Sequence, residues 1–149
     1  MKTTDELVRE LVDREAIREL PMRYCDCLYR SDLDGLVNLF TEGASFIVRD
    51  PENEVVTRGR TDLKKMYEQL MSEVWPRPFV HSHVIAFRTQ TSATGRCYVE
   101  LRSAKVDMEQ TGSGCYEDEY VKVGDQWKFA SRRLIEVDLA TSLRPFMVN

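Results

Sequence analysis

The chain is poor in histidine, with two imidazoles, His81 and His83, among 149 residues. Histidine is the side chain whose ordinary pKa lies nearest neutrality. Imidazole acid–base chemistry therefore has to use the stretch Pro78-Phe79-Val80-His81-Ser82-His83 or be absent. Cysteine is sparse as well. Cys25, Cys27, Cys97 and Cys115 have neither zinc-ribbon spacing nor the density of a small secreted scaffold. Reduced thiols in a cytoplasm are the expectation. No apolar run approaches the roughly 18 residues that a membrane-spanning helix needs. The opening MKTTDELVRELVDRE is charged throughout and lacks the apolar centre of a secretory leader. Neither sign of charge dominates. The net charge is −4 with both signs interspersed, which gives no basic footprint for nucleic acid and no polybasic membrane patch. No internal repeat or low-complexity segment is present.

What is present is enough for one domain, residues 1–149. A domain of this size buries about 70% of its unfolded surface without staples. Thr3 or Thr4 can cap a first helix, with Asp5 and Glu6 in its first turn. Leu7, Val8, Leu11 and Val12 open an apolar stripe that Ile17, Leu20, Tyr24 and Leu28 continue. Pro21 lies inside it and predicts a kink or restart. Asp32 reads as the cap of a short helix that Gly43 ends. Strands are expected over 44–49 and 55–57, around a turn at 50–53. Thr61 is the expected cap of a third helix, which Pro76 and Pro78 stop. Four strands follow, at about 79–88, 93–108, 112–123 and 126–138, with Gly124-Asp125 turning the last hairpin. Residues 139–149 form a tail. The order α-α-β-β-α-β-β-β-β predicts an α+β fold, a mostly antiparallel sheet with the helices on one side. A cavity at the open end of such a sheet is a default small-molecule site.

Local motifs then meet that order. They include Glu15-Ala16-Ile17-Arg18-Glu19-Leu20, Arg23-Tyr24, Asp34-Gly35-Leu36, Leu39-Phe40-Thr41 and Gly59-Arg60. They continue with Ala93 to Tyr98, Gly114 to Tyr120, Trp127-Lys128-Phe129 and Arg132. Over about residues 13–137 the chain resembles the SnoaL-like and scytalone dehydratase-like group of the nuclear transport factor 2-like superfamily. The resemblance implies a cone-shaped curved sheet wrapped on N-terminal helices, an interior pocket, no cofactor, and assembly as a homodimer or homotrimer. Its members include dehydratases, isomerases, polyketide cyclases and non-catalytic dioxygenase subunits, so fold alone does not fix function. Its dehydratase-like members use a buried histidine oriented by an aspartate. In this chain Tyr29 stands at the aspartate position and Pro78 at the histidine position, so both members of the dyad are absent.

Strand parity puts His81 and His83 on one face, together with Phe79, Ile85 and Phe87, and Pro78 and Ser82 on the other. An i, i+2 histidine pair has no evident third ligand, so no metal site is expected. Tyr24 matches the inward tyrosine of the group, and Tyr29 lies roughly 140° round the same helix. Tyr116, Asp118 and Tyr120 share a strand face. A three-residue connection at 124–126 would set Asp118 opposite Arg132, and a two-residue connection would separate them. Cys97, Val99 and Leu101 face one way and are candidate lining. The expected ligand is a small, largely apolar, oxygenated molecule. The leading expectation is a cofactor-free dehydratase, isomerase or cyclase-type lyase. His81 or His83 would be its base, Tyr24 or Tyr116 its hydrogen-bond donor, Arg132 its oxyanion partner, and Tyr29, Tyr116 and Asp118 would help bind substrate. The alternatives are a non-catalytic ligand-binding protein and an assembly subunit.

Overall fold

The computed structural model describes residues 1–49 and 52–137. Part of the expected 50–53 turn, and the tail, lie outside the described residues. The elements are α1 (Thr4–Arg30), α2 (Leu33–Asn38), β1 (Phe40–Arg49), β2 (Glu54–Arg58), α3 (Arg60–Glu73), β3 (Pro76–Phe87), β4 (Ser92–Ser103), β5 (Glu109–Val123) and β6 (Gln126–Val137). Their order is the expected one. The strands form one sheet in the order β2-β1-β6-β5-β4-β3. Every neighbouring pair is antiparallel except β1 with β6.

Thr3 caps α1 through a reciprocal capping box with Glu6. Of the kink or restart expected at Pro21, the restart does not occur, and α1 is one helix through it. Pro21 is itself buried among Ile17, Leu20, Tyr24 and Leu28, and burial of that whole face offsets the bond it cannot make. The earlier part of the stripe is a correction. Leu7, Val8, Leu11 and Val12 are exposed, Leu11 at 65%. At about 100° per residue Val8, Leu11 and Val12 lie roughly 120–180° round α1 from the packed residues, and Leu7 lies roughly 85° from them. Further boundaries move: β1 starts at Phe40 rather than 44, β3 at Pro76 rather than 79, and β4 ends at Ser103 rather than 108. Gly43 lies inside β1 rather than ending α2, and α3 is preceded by Gly59, not capped by Thr61. Gly59 has φ 85, a left-handed conformation that glycine adopts without a Cβ penalty. Arg60 then ties α3 to β1 by donating twice to the Phe40 carbonyl.

The concave face of the sheet carries Phe40, Ala44, Phe46, Ala93, Cys97, Val99, Tyr116, Tyr120, Phe129 and Leu134 against the helices. Asp13, near the start of the packed part of α1, accepts from Lys122 and from the Trp127 indole, both at 2.9 Å, and fastens the helix to the β5–β6 hairpin. No helix among the described residues is long and apolar enough to cross a membrane.

Candidate functional site

The floor of the cone is set by the register of β5 on β6. The connection is the two-residue Gly124-Asp125 turn, with Val123 opposite Gln126. An uninterrupted ladder from that turn would put Asp118 opposite Ser131. Instead Ala130 is left unpaired between Phe129 and Ser131, and the resulting bulge brings Asp118 opposite Arg132. Arg132 Nε lies 3.2 Å from Asp118 Oδ1, and both side chains are fully buried. The guanidinium carbon sits 3.7 Å from the Tyr116 ring centre, 4.2 Å from Tyr24 and 4.6 Å from Phe129. Such cation–ring contacts contribute about 0.5–2 kcal/mol each. Nη2 approaches Cys97 Sγ at 3.6 Å, and Nη1 has no hydrogen-bond partner.

Electrostatics at the floor are dominated by desolvation. Burial pushes the Asp118 carboxyl up to about 6, and Arg132 pulls against it without cancelling the effect. Burial works against the Arg132 charge, but Asp118 holds the guanidinium charged. The Tyr24 and Tyr67 hydroxyls are hydrogen-bonded at 3.0 Å, and burial pushes both up together with Tyr116, so all three stay neutral donors. Burial also lifts the Cys25 and Cys97 thiols to about 11 and 12, which removes them as nucleophiles at neutral pH.

The two histidines do not share a face. Ser82 adopts φ 47, and the β3–β4 register slips between His81 and Val84. One irregular residue in a period-two strand inverts the facing of everything after it. His81 stays with Phe79 on the outer face, exposed, its Nε2 3.2 Å from Glu100. His83 turns inward with Ile85 and Phe87, and its Nε2 lies 3.0 Å from the Tyr120 hydroxyl. Tyr120 donates onward to Asp118 Oδ2 at 2.9 Å. Gly95 makes room for this contact. A Cβ there would stand 2.7 Å from the Tyr120 ring and 3.0 Å from His83 Nε2.

Burial, with Arg132 and Arg18 nearby, pushes His83 down to about 4. A depressed imidazole contributes stability above its ordinary pKa and loses it as pH falls from about 6.5 through about 4. Asp118 has the opposite sign. Its raised carboxyl contributes most below the ordinary carboxylate pKa, and that contribution is lost as pH rises through about 6. The two trends offset each other between those limits. We expect His83→Gln to gain stability relative to the parent chain on acidification over that window, read from urea midpoints. Parallel curves for the two proteins would contradict the assignment.

Above the floor the cone is lined by apolar groups. Val99 and Cys97 are buried, and Leu101 is half-buried opposite Gly112. A Cβ on Gly112 would meet nothing within 4 Å, so that wall is open. The expected dyad positions hold no acid or base. Tyr29 is 48% exposed, its ring stacked 3.9 Å from the Arg77 guanidinium, and Pro78 is buried. Tyr24, Tyr116, Asp118, Arg132, Cys97 and Val99 are therefore brought together, while Tyr29 and His81 lie apart from them. Sequence reasoning passed over Tyr67 and Gly95. Tyr67 was legible as a member of the apolar side of α3, and nothing in the residue string marks Gly95. No group of three or more acidic, cysteine or histidine side chains among the described residues could hold a metal ion.

An open curved sheet closed over three helices is the architecture of the nuclear transport factor 2-like class. The sequence profile of the SnoaL-like domain matches residues 9–133, and the chain belongs to that family. Among solved structures it is similar to a protein of unknown function from Mycobacterium tuberculosis, at 26% identity over 91% of this chain and 78% of that one, TM-score 0.80. It is similar to a provisionally named scytalone dehydratase from Novosphingobium aromaticivorans, at 25% identity over 89% of each chain, TM-score 0.73. It shares its fold with the β subunit of a provisionally assigned aromatic-ring-hydroxylating dioxygenase from the same organism, at 18% identity over 87% of this chain and 92% of that one, TM-score 0.72. No curated protein matches the sequence.

Proposed function

We propose that this chain is a non-catalytic, small-molecule-binding member of the family, which keeps the cone and lacks a base open to it. One observation carries the reading. The chain's two imidazoles are both withdrawn, His81 to the outer face and His83 behind Tyr120, while Tyr29 and Pro78 occupy the dyad positions. Asp118 does not replace them, because Arg132 and Tyr120 engage its two oxygens and its side chain is fully buried. Support for a ligand comes from the half-buried apolar wall at Leu101, the open side at Gly112 and the hydroxyl-bearing floor below. The ligand is a small, largely apolar molecule carrying a carbonyl or hydroxyl oxygen.

The test pairs turnover with binding. A β-hydroxy ketone should show no dehydration above its solution rate, whereas its enone product should bind saturably by calorimetry. Leu101→Trp, which fills the wall facing Gly112, should abolish that binding. Turnover well above the solution rate would restore the lyase reading.

A second reading, a homodimer, homotrimer or larger assembly, is favoured by the outer sheet face. Val84 is 66% and Tyr98 48% exposed there, around a trough of about 810 Å³. Two of the charge pairs of that face are closed within the chain, Arg96 on Glu117 and Arg133 on Glu54, which lowers the cost of covering them. Light scattering that reports a monomer at high concentration would remove this reading.

A further inference from the structure

We infer that His83, Tyr120 and Asp118 form a proton relay leading from the seam between α1 and β3 to the floor of the cone, so that the charge of the floor is set from its flank. Asp118 and Tyr120 are both buried, and His83 is the first group on their hydrogen-bonded path that is partly exposed. The path is short: 2.9 Å from Asp118 Oδ2 to the Tyr120 hydroxyl and 3.0 Å on to His83 Nε2.

Proton counting fixes its polarity. A phenol has one proton, and Tyr120 gives it to Asp118. His83 Nε2 must then carry the proton shared with the Tyr120 oxygen, which leaves Nδ1 with a lone pair. Nδ1 is buried beside the Arg18 backbone and makes no hydrogen bond in this arrangement, so it is the vacant end of the chain. When a proton binds there, Nε2 passes its own to the Tyr120 oxygen and Tyr120 passes its own to Asp118 Oδ2. The imidazole is neutral again, now protonated on Nδ1. The hydroxyl donates to Nε2, and the carboxyl donates to the hydroxyl. One proton has entered and one is stored, with every heavy atom in place.

The surroundings favour storage on the carboxyl over a cation on the ring. His83 faces Arg18 from α1, Arg132 from β6, and Tyr120, with Asp118 behind it, from β5; β4 offers Gly95 there. Asp118 faces Arg132 from β6, Tyr120 and Cys115 on its own strand, Cys97 from β4 and Tyr67 from α3. Arginines on two sides oppose an imidazolium, whereas the buried carboxylate gains by neutralisation. Storage leaves Arg132 as the uncompensated cation of the floor. For the ligand reading above, on which this last consequence rests, acid would favour an anionic ligand.

The test is made without ligand, so it stands apart from that reading. His81→Gln removes the outer imidazole and leaves His83 as the single ring for nitrogen-15 NMR. As pH is lowered from about 8 to about 5, the ring should stay neutral while its proton moves from Nε2 to Nδ1. Adding Tyr120→Phe or Asp118→Asn should abolish that switch. A switch that persists in Tyr120→Phe, or a ring that simply becomes an imidazolium in the His81→Gln chain, overturns the relay. Should both added variants fail to fold, His83→Gln is read instead at the Asp118 carboxyl carbon. Its midpoint should move by about one pH unit or more, and an unchanged midpoint overturns the relay.

Discussion

Asp118→Ala is expected to lower the unfolding free energy by about 3–5 kcal/mol, because it strands the Arg132 guanidinium without a counter-ion. Arg132 is fully buried and cannot turn to water. Its other neighbours are ring faces and the Cys97 sulfur, none of which carries charge. A domain of ordinary stability has about 5–15 kcal/mol in total, so this loss would be about a fifth of it or more. Arg132→Met should cost less. The carboxyl it leaves behind is already pushed up to about 6, and without Arg132 it can take a proton and stay neutral. The double variant Asp118→Leu/Arg132→Met should recover much of the loss, since a well-packed apolar pair often matches a buried ion pair. Urea denaturation near neutral pH gives all three values. A loss under about 1 kcal/mol for Asp118→Ala would mean that water reaches Arg132 in solution.

Phe129→Ala is the second large effect, expected at about 3–5 kcal/mol. Phe129 lies beneath the Arg132 guanidinium and packs at 5.1 Å on Phe40, 5.6 Å on Tyr120 and 6.3 Å on Tyr24, measured between ring centres. Its removal opens a cavity under a charge that depends on ring faces. At about 2–4 °C per kcal/mol, calorimetry should show a melting temperature lower by about 10 °C. Phe129→Leu keeps most of the volume and should cost under about 1.5 kcal/mol. Equal losses for both variants would locate the effect in the ring contacts, not the cavity.

Much of the fold was legible in the residue string. The element order, the antiparallel bias and the shared face of Tyr116, Asp118 and Tyr120 follow from periodicity and turn residues. Two single-residue irregularities were not. Ser82 is an ordinary strand residue with no propensity for φ 47, yet it sends His81 outward and His83 inward. Ala130 is equally featureless, yet the ladder skips it and so keeps Arg132 opposite Asp118. Both arise from tertiary curvature, which a local pattern does not encode. The stripe of α1 failed for another reason. A helical period reveals that Leu7 and Leu11 line up, not that Leu11 stands roughly 120° round the helix from Ile17 and so misses the sheet that Asp13 reaches.

Ala130 also separates two kinds of instruction held in one strand. If it were deleted, Phe129 would still meet Tyr120, Arg132 would still meet Asp118, and the inward and outward alternation would run on unbroken. Partner choice is therefore written in the flanking residues, and the surplus residue writes only the bend. Shortening the chain there would straighten the strand while keeping its correspondents, so the breadth of the cone could change in descent without rewiring its charged centre.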